Sequence, residues 1–156
     1  MGAKQGWVEK RQHERVLASL KVDYRLLEGN AKKVLKHEHY SDTGLDEVLR
    51  LAPKSPVHHA VTKDLSIGGM ALVGEQAFPA GSVVEVSLQL PHYKAQLKFV
   101  AEVMRSESFV EMQRTFHRSG LKILAINKAD IDHISRYLHI KKLTHELKTD
   151  LKNLKK

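Results

Sequence analysis

Seven runs of strand length follow one another between Val16 and Ala125, separated by turn residues and not by helices, and that spacing restricts the fold more than any other feature. In the first, Val16 to Leu27, the residues Leu20, Val22, Tyr24 and Leu26 alternate with Ser19, Lys21, Asp23 and Arg25. That two-residue period belongs to a strand with one wet face. Strand signals return at Val57 to Thr62, Met70 to Val73, Ser82 to Leu90, Gln96 to Arg105, Ser108 to Thr115 and Gly120 to Ala125. Gly68-Gly69, Pro79-Ala80-Gly81 and Pro91-His92 punctuate them. Strands joined by tight turns pair antiparallel and close on themselves, which predicts a mainly β fold: a small antiparallel barrel of six to seven strands.

The period changes at Asn127. Ile131, Ile134 and Leu138 share one helical face, and Leu143, Leu147, Leu151 and Leu154 continue a stripe after a phase slip near Ile140. A C-terminal α-helix is expected over 127–156, with Asn127 as its N-cap and Asp130 near the positive end of its dipole. Its late leucines offer a surface for the barrel, a partner or a homodimer, while the phase slip and the lysine load weigh against the last. Between the first two strands, residues 28–56 carry Gly29, Asn30, Gly44, Pro53 and Pro56 and one short helix-like run at Leu45 to Leu51. This stretch reads as a long insertion whose role is not legible.

The chain has 156 residues, 42% of them hydrophobic and 28% charged, the balance of one folded domain with appendages. There is no cysteine, which excludes disulfides, thiolate metal sites and a cysteine nucleophile. Met1 to Lys10 lacks the apolar run of a secretory signal, and nothing approaches the length of a membrane span, so a cytoplasmic protein is expected. The net charge of +8 favours anionic partners.

Two segments carry chemistry. Arg11-Gln12-His13-Glu14-Arg15 places two arginines four apart just before the first strand, and Asp64-Leu65-Ser66-Ile67-Gly68-Gly69 sets an acid, a hydroxyl and a glycine at a strand end. Read singly, the first is a solvated face and the second an ordinary Asx or Ser turn. Together they resemble the signature of the PilZ family, an Arg-x-x-x-Arg arm, a strand, then Asp/Asn-x-Ser-x-x-Gly, and the resemblance extends over roughly Lys10 to Ile140 through Gly69-Met70-Ala71-Leu72 and Ser119-Gly120-Leu121-Lys122-Ile123. It implies a PilZ-type barrel over 10–140, preceded by a flexible arm over 1–15. It also implies a receptor that binds cyclic di-GMP through Arg11, Arg15, Asp64, Ser66, Gly68 and Gly69, with Lys10 beside them, and signals to a protein partner in trans to control motility, exopolysaccharide or surface behaviour.

The chemistry is consistent with that ligand. An arginine fork suits the O6/N7 edge of guanine or a phosphate, and an ionised aspartate accepts from the N1-H and N2-H groups of the other edge. No enzyme is expected, because Ser66 has no partner histidine at a recognisable offset. No metal or other cofactor is expected, because His37, Glu38, His39, His58 and His59 fit no established zinc spacing. The rival readings are a basic small barrel that grips single-stranded nucleic acid and a PilZ-like scaffold that binds no ligand. Aromatic residues, only 6% of the chain, are too sparse for the stacking platforms of the first.

Overall fold

The computed structural model describes residues 15–27, 45, 49–50, 55–91 and 93–154. Among the described residues the chain forms seven strands and a long helix: β1 (Val16–Leu17), β2 (Lys21–Leu27), β3 (His58–Leu65), β4 (Gly69–Gly74), β5 (Val83–Leu88), β6 (Leu97–Glu111), β7 (Arg114–Ala125) and α1 (Lys128–Leu154). All pairings are antiparallel in the order β1-β3-β2-β5-β6-β7-β4, and a further β3–β4 pairing closes six strands into a barrel with β1 as an extra strand. The inward residues of the alternation make the core, with Val22, Tyr24, Val84, Val86, Phe99, Ala101, Leu121 and Ile123 among them. Ile134 and Leu138 of α1 complete it from outside. At 25 cal/mol per Å² or so, each such side chain contributes on the order of 1.5–3 kcal/mol by leaving water.

Three boundaries differ from the sequence reading, each for a local reason. The expected strand Val16 to Leu27 is broken at Ala18 to Leu20, where Thr62 enters the gap: its hydroxyl donates to Ala18 O at 2.5 Å and accepts from Leu20 N at 2.9 Å. The expected strand Ser108 to Thr115 is instead the end of a hairpin. β6 runs on to Glu111, and Met112 and Gln113 turn the chain with φ of 52° and 64° before β7 begins at Arg114. Positive φ at both central residues is the geometry of a type I′ turn, normally written with Asn or Gly, so neither residue signalled it. The ribbon tip leaves the barrel, and every residue from 104 to 115 is exposed. The last strand, expected to begin at Gly120, accordingly starts at Arg114.

The insertion has a legible function in the fold. Leu45 and Leu49, both helical and four apart, join Leu27, Val83, Val100, Leu124 and Ala125 in a second small apolar cluster on the outer side of the barrel. Asn127 does open α1, since its carbonyl accepts from Asp130 N and Ile131 N at 3.0 and 3.1 Å. Its side-chain Oδ1, buried and without a hydrogen-bond partner among the described residues, does not cap it.

Candidate functional site

The site begins with a break in strand parity. Thr62 (1% exposed) and Leu65 (0%) are both buried although three apart, which a regular strand forbids. A bulge resolves this: the β3–β4 register passes from Thr62↔Leu72 to Asp64↔Ala71, leaving Lys63 as the extra residue. Asp64 is thereby turned onto the outer face while Leu65 returns to the core. Opposite it, β1 pairs Leu17 with Asp64, which brings Arg15 alongside. Arg15 Nη1 lies 3.7 Å from Asp64 Oδ1, with the two side chains 32% and 13% exposed. That oxygen is buried and accepts no hydrogen bond among the described residues, so a largely dehydrated carboxylate faces the Arg15 guanidinium and, within those residues, holds unused acceptor capacity.

Beyond Asp64 the β3–β4 connection is a tight turn built by Ser66. Its backbone N donates to Gly69 O at 2.9 Å, and its hydroxyl accepts from Gly68 N and Gly69 N at 3.2 and 3.1 Å and donates to Gly69 O. The turn is pinned to β7 by Ile123 N donating to Gly68 O at 2.9 Å. Gly69 is packed as closely as backbone allows: a Cβ there would stand 2.2 Å from Leu121 O. The glycine thus admits the neighbouring strand, and the Ser66 hydroxyl is fully engaged inside its own turn. Neither glycine needs a left-handed backbone; among described glycines the positive φ belongs to Gly81.

Register extends the site across four strands. Asp64 pairs with Ala71, Ala71 with Gly120 and Gly120 with Arg105, an outward row whose middle is nearly bare of side chain. Arg105 lays its stem over Gly120, where a Cβ would meet its Cγ at 3.3 Å. The flanking outward rows contribute Arg118, paired with Val73, and Lys122, paired with Gly69. A shallow platform of small residues, edged by an acid on one side and cations on the other, is therefore continuous with the Arg15–Asp64 pair. Arg105 and Lys122 escaped the sequence reading, in which Arg114 and Arg118, a second pair of arginines four apart, count as a solvated face to which the family resemblance gives no role. The signal that finds Arg105, Arg118 and Lys122 is the cross-strand register, which no linear spacing displays.

Arg11 and Lys10 lie outside the described residues, so of the expected arm only Arg15 is placed. Arg114 forms an ion pair with Glu75 and lies over the Phe116 ring at 5.7 Å. His59 pairs with Asp23 at 2.5 Å and His58 packs against Tyr24 and Phe78. No group of three metal-ligating side chains occurs among the described residues, and no described helix is long and apolar enough to cross a membrane.

Comparison with known proteins follows the same lines. The family model for the PilZ domain matches residues 9–139. No curated protein matches at a significant level. Among solved structures, the chain resembles the Bacillus subtilis inhibitor of motility MotI/DgrA at 17% identity and a TM-score of 0.58, covering 86% of this chain and 52% of that one. The PilZ domain of Escherichia coli YcgR with c-di-GMP follows at 14% identity and 0.56, covering 90% of this chain and 98% of the other. The K. pneumonia MrkH–c-di-GMP complex gives 13% and 0.55, covering 88% and 55%. The chain thus spans about half the length of MotI/DgrA and of MrkH, and nearly all of the YcgR domain. At these identities the likeness is one of fold.

Proposed function

Because this chain belongs to the PilZ domain family, we propose that it is a cytoplasmic receptor for cyclic di-GMP that passes the signal to a protein partner in trans, and not an enzyme. The single observation that carries this reading is the buried Asp64 Oδ1, ion-paired with Arg15 but accepting no hydrogen bond among the described residues, at the edge of the Ala71–Gly120 platform. A ligand that brings both donors for that acceptor and acceptors for the nearby guanidinium is a guanine nucleotide with anionic phosphates. The YcgR domain and MrkH, whose structures contain c-di-GMP, support the choice of dinucleotide.

In this reading Asp64 accepts from one guanine's N1-H and N2-H groups. Arg15 and Arg11 place their forks on an O6/N7 edge and a phosphate, with Lys10 adding charge at the same place. Ser66, Gly68 and Gly69 hold the turn that fixes Asp64 and let strand and ligand approach. Arg105, Arg118 and Lys122 supply cations to whichever phosphate crosses the platform. Closure of the 1–15 arm over the ligand alters the surface a partner meets, and the output is motility, exopolysaccharide or another surface behaviour.

Calorimetric titration of cyclic di-GMP into the chain and into Arg15→Ala tests this, with GTP and single-stranded DNA as controls at matched salt. The expected outcome is binding that the substitution weakens by at least about tenfold, the worth of one charge-assisted hydrogen bond. Absence of dinucleotide binding with DNA binding retained would replace the receptor by a nucleic-acid-binding barrel.

A further inference from the structure

α1 carries two apolar faces that do not coincide. On a helix turning by about 100° per residue, Ile131, Ile134 and Leu138 share one side, and Ile140, Leu143, Leu147, Leu151 and Leu154 lie on roughly the opposite side. The first set packs on the barrel, with Ile134 and Leu138 buried. The second is exposed, at 56%, 46%, 63%, 57% and 81% in sequence order. The helix is continuous through the change, so the stripe faces away from the barrel and cannot be covered by it. Its steps of three, four, four and three residues make an eleven-residue repeat, which keeps a seam straight or slightly right-handed along a neighbouring helix.

The charges beside the stripe identify the neighbour. Lys148 lies on one flank, and Glu146 and Asp150 lie on the other. In a parallel pair related by a twofold axis along the helices, the basic flank of each meets the acidic flank of its mate on both sides of the seam. An antiparallel pair would set lysine against lysine. A lipid surface fits less well, since Asp150 and Glu146 border the apolar face at the depth where anionic headgroups would lie.

We propose that the 140–154 half of α1 is the seam of a parallel homodimer, formed between the leucine stripes of two copies of this chain. The seam is short, roughly 22 Å, so the dimer is concentration-dependent. It places the two barrels at the same end, and it is independent of which ligand the Arg15–Asp64 sites take.

Sedimentation velocity of the full chain over a hundredfold range of concentration tests the proposal. Dimer is expected in the parent chain and monomer in Leu147→Asp, a change at a side chain 63% exposed and outside the core cluster. Lys148→Glu and Asp150→Lys should each weaken association, and the double exchange should restore it. Since the chain has no cysteine, Leu154→Cys reports orientation directly: a disulfide-linked dimer under mild oxidation is the parallel outcome. Four results would overturn the proposal: a monomer at every concentration, a dimer indifferent to Leu147→Asp, cross-linking only between an Ile140→Cys and a Leu154→Cys chain, or a monomer that instead binds vesicles containing phosphatidylglycerol.

Discussion

Position 69 shows how one residue can serve a strand pair and a site together. A methyl group there would meet Leu121 O at 2.2 Å, and that oxygen belongs to the main chain of β7, which pairs with β4 and β6 on its two sides. Gly69→Ala should therefore force β4 away from β7 at a cost of roughly 1–3 kcal/mol, read as a lower urea midpoint with unchanged slope. A loss below about 0.5 kcal/mol, the level of an ordinary surface change, would mean the strands relax freely. The aspartate five residues earlier was legible from its spacing to Ser66 and Gly69. What it lacked in the sequence was an orientation, because the Thr62/Asp64 bulge that turns it outward depends on how β3 pairs with β4.

At the scale of elements, β2 and β5 hold a cross-strand pair that a sequence reading passes over as wet-face residues. Arg25 and Glu85 are register partners, Arg25 Nε donates to Glu85 Oε1 at 2.7 Å, and the side chains are only 8% and 11% exposed. The pair lies beside Leu49 and Arg50 of the insertion, so the alternating pattern that marked the outer face as solvated was right about the strand and wrong about the solvent. Glu85→Leu should leave a buried, unpaired guanidinium and cost about 3–5 kcal/mol, whereas Arg25→Met with Glu85→Leu should be near neutral or stabilising. Chemical denaturation of the two variants checks this; the single substitution costing under about 1 kcal/mol would show that water reaches the pair. The β6–β7 ribbon makes the converse point: its Phe109–Phe116 pair, 5.8 Å between centroids, supports a turn that local sequence does not favour.

For the whole molecule, stability depends on closing the barrel and docking the first half of α1 over it. Tyr24 ties β2 to β3 and to the segment after β4, in contact with His58 and Phe78 and donating its hydroxyl to Gln76 O at 2.5 Å. Burial pushes its phenol above the ordinary 10.0, and burial does the same to Tyr137 on α1. A raised folded value means the unfolded chain ionises first, so this contribution is complete below the ordinary tyrosine range and is lost as pH rises through the folded value. Melting temperature should accordingly fall from about pH 10 upward, less steeply in Tyr24→Phe. Equal slopes in the two proteins would exclude Tyr24 as a linked group.

The sequence by itself determined the periodicities: two-residue alternation with tight turns gave a closed antiparallel β fold, the switch at Asn127 gave the helix, and the arginine and Asp-Ser-Gly segments pointed to a site with Arg15 and Asp64 in it. These are local properties, written in residues a few positions apart. Only the tertiary structure decided the break in the first strand, the Met112-Gln113 turn, the burial of Arg25 with Glu85, the cover that Leu45 and Leu49 provide, and the meeting of Arg105, Arg118 and Lys122 on one platform. Most of these rest on partners well beyond the reach of local periodicity, from fifteen residues for Arg105 and Gly120 to sixty for Arg25 and Glu85, and the turn rests on the ribbon pairing around it. Pairing register, which fixes who faces whom across a sheet, is set by the summed packing of the closed barrel and leaves no mark in linear spacing.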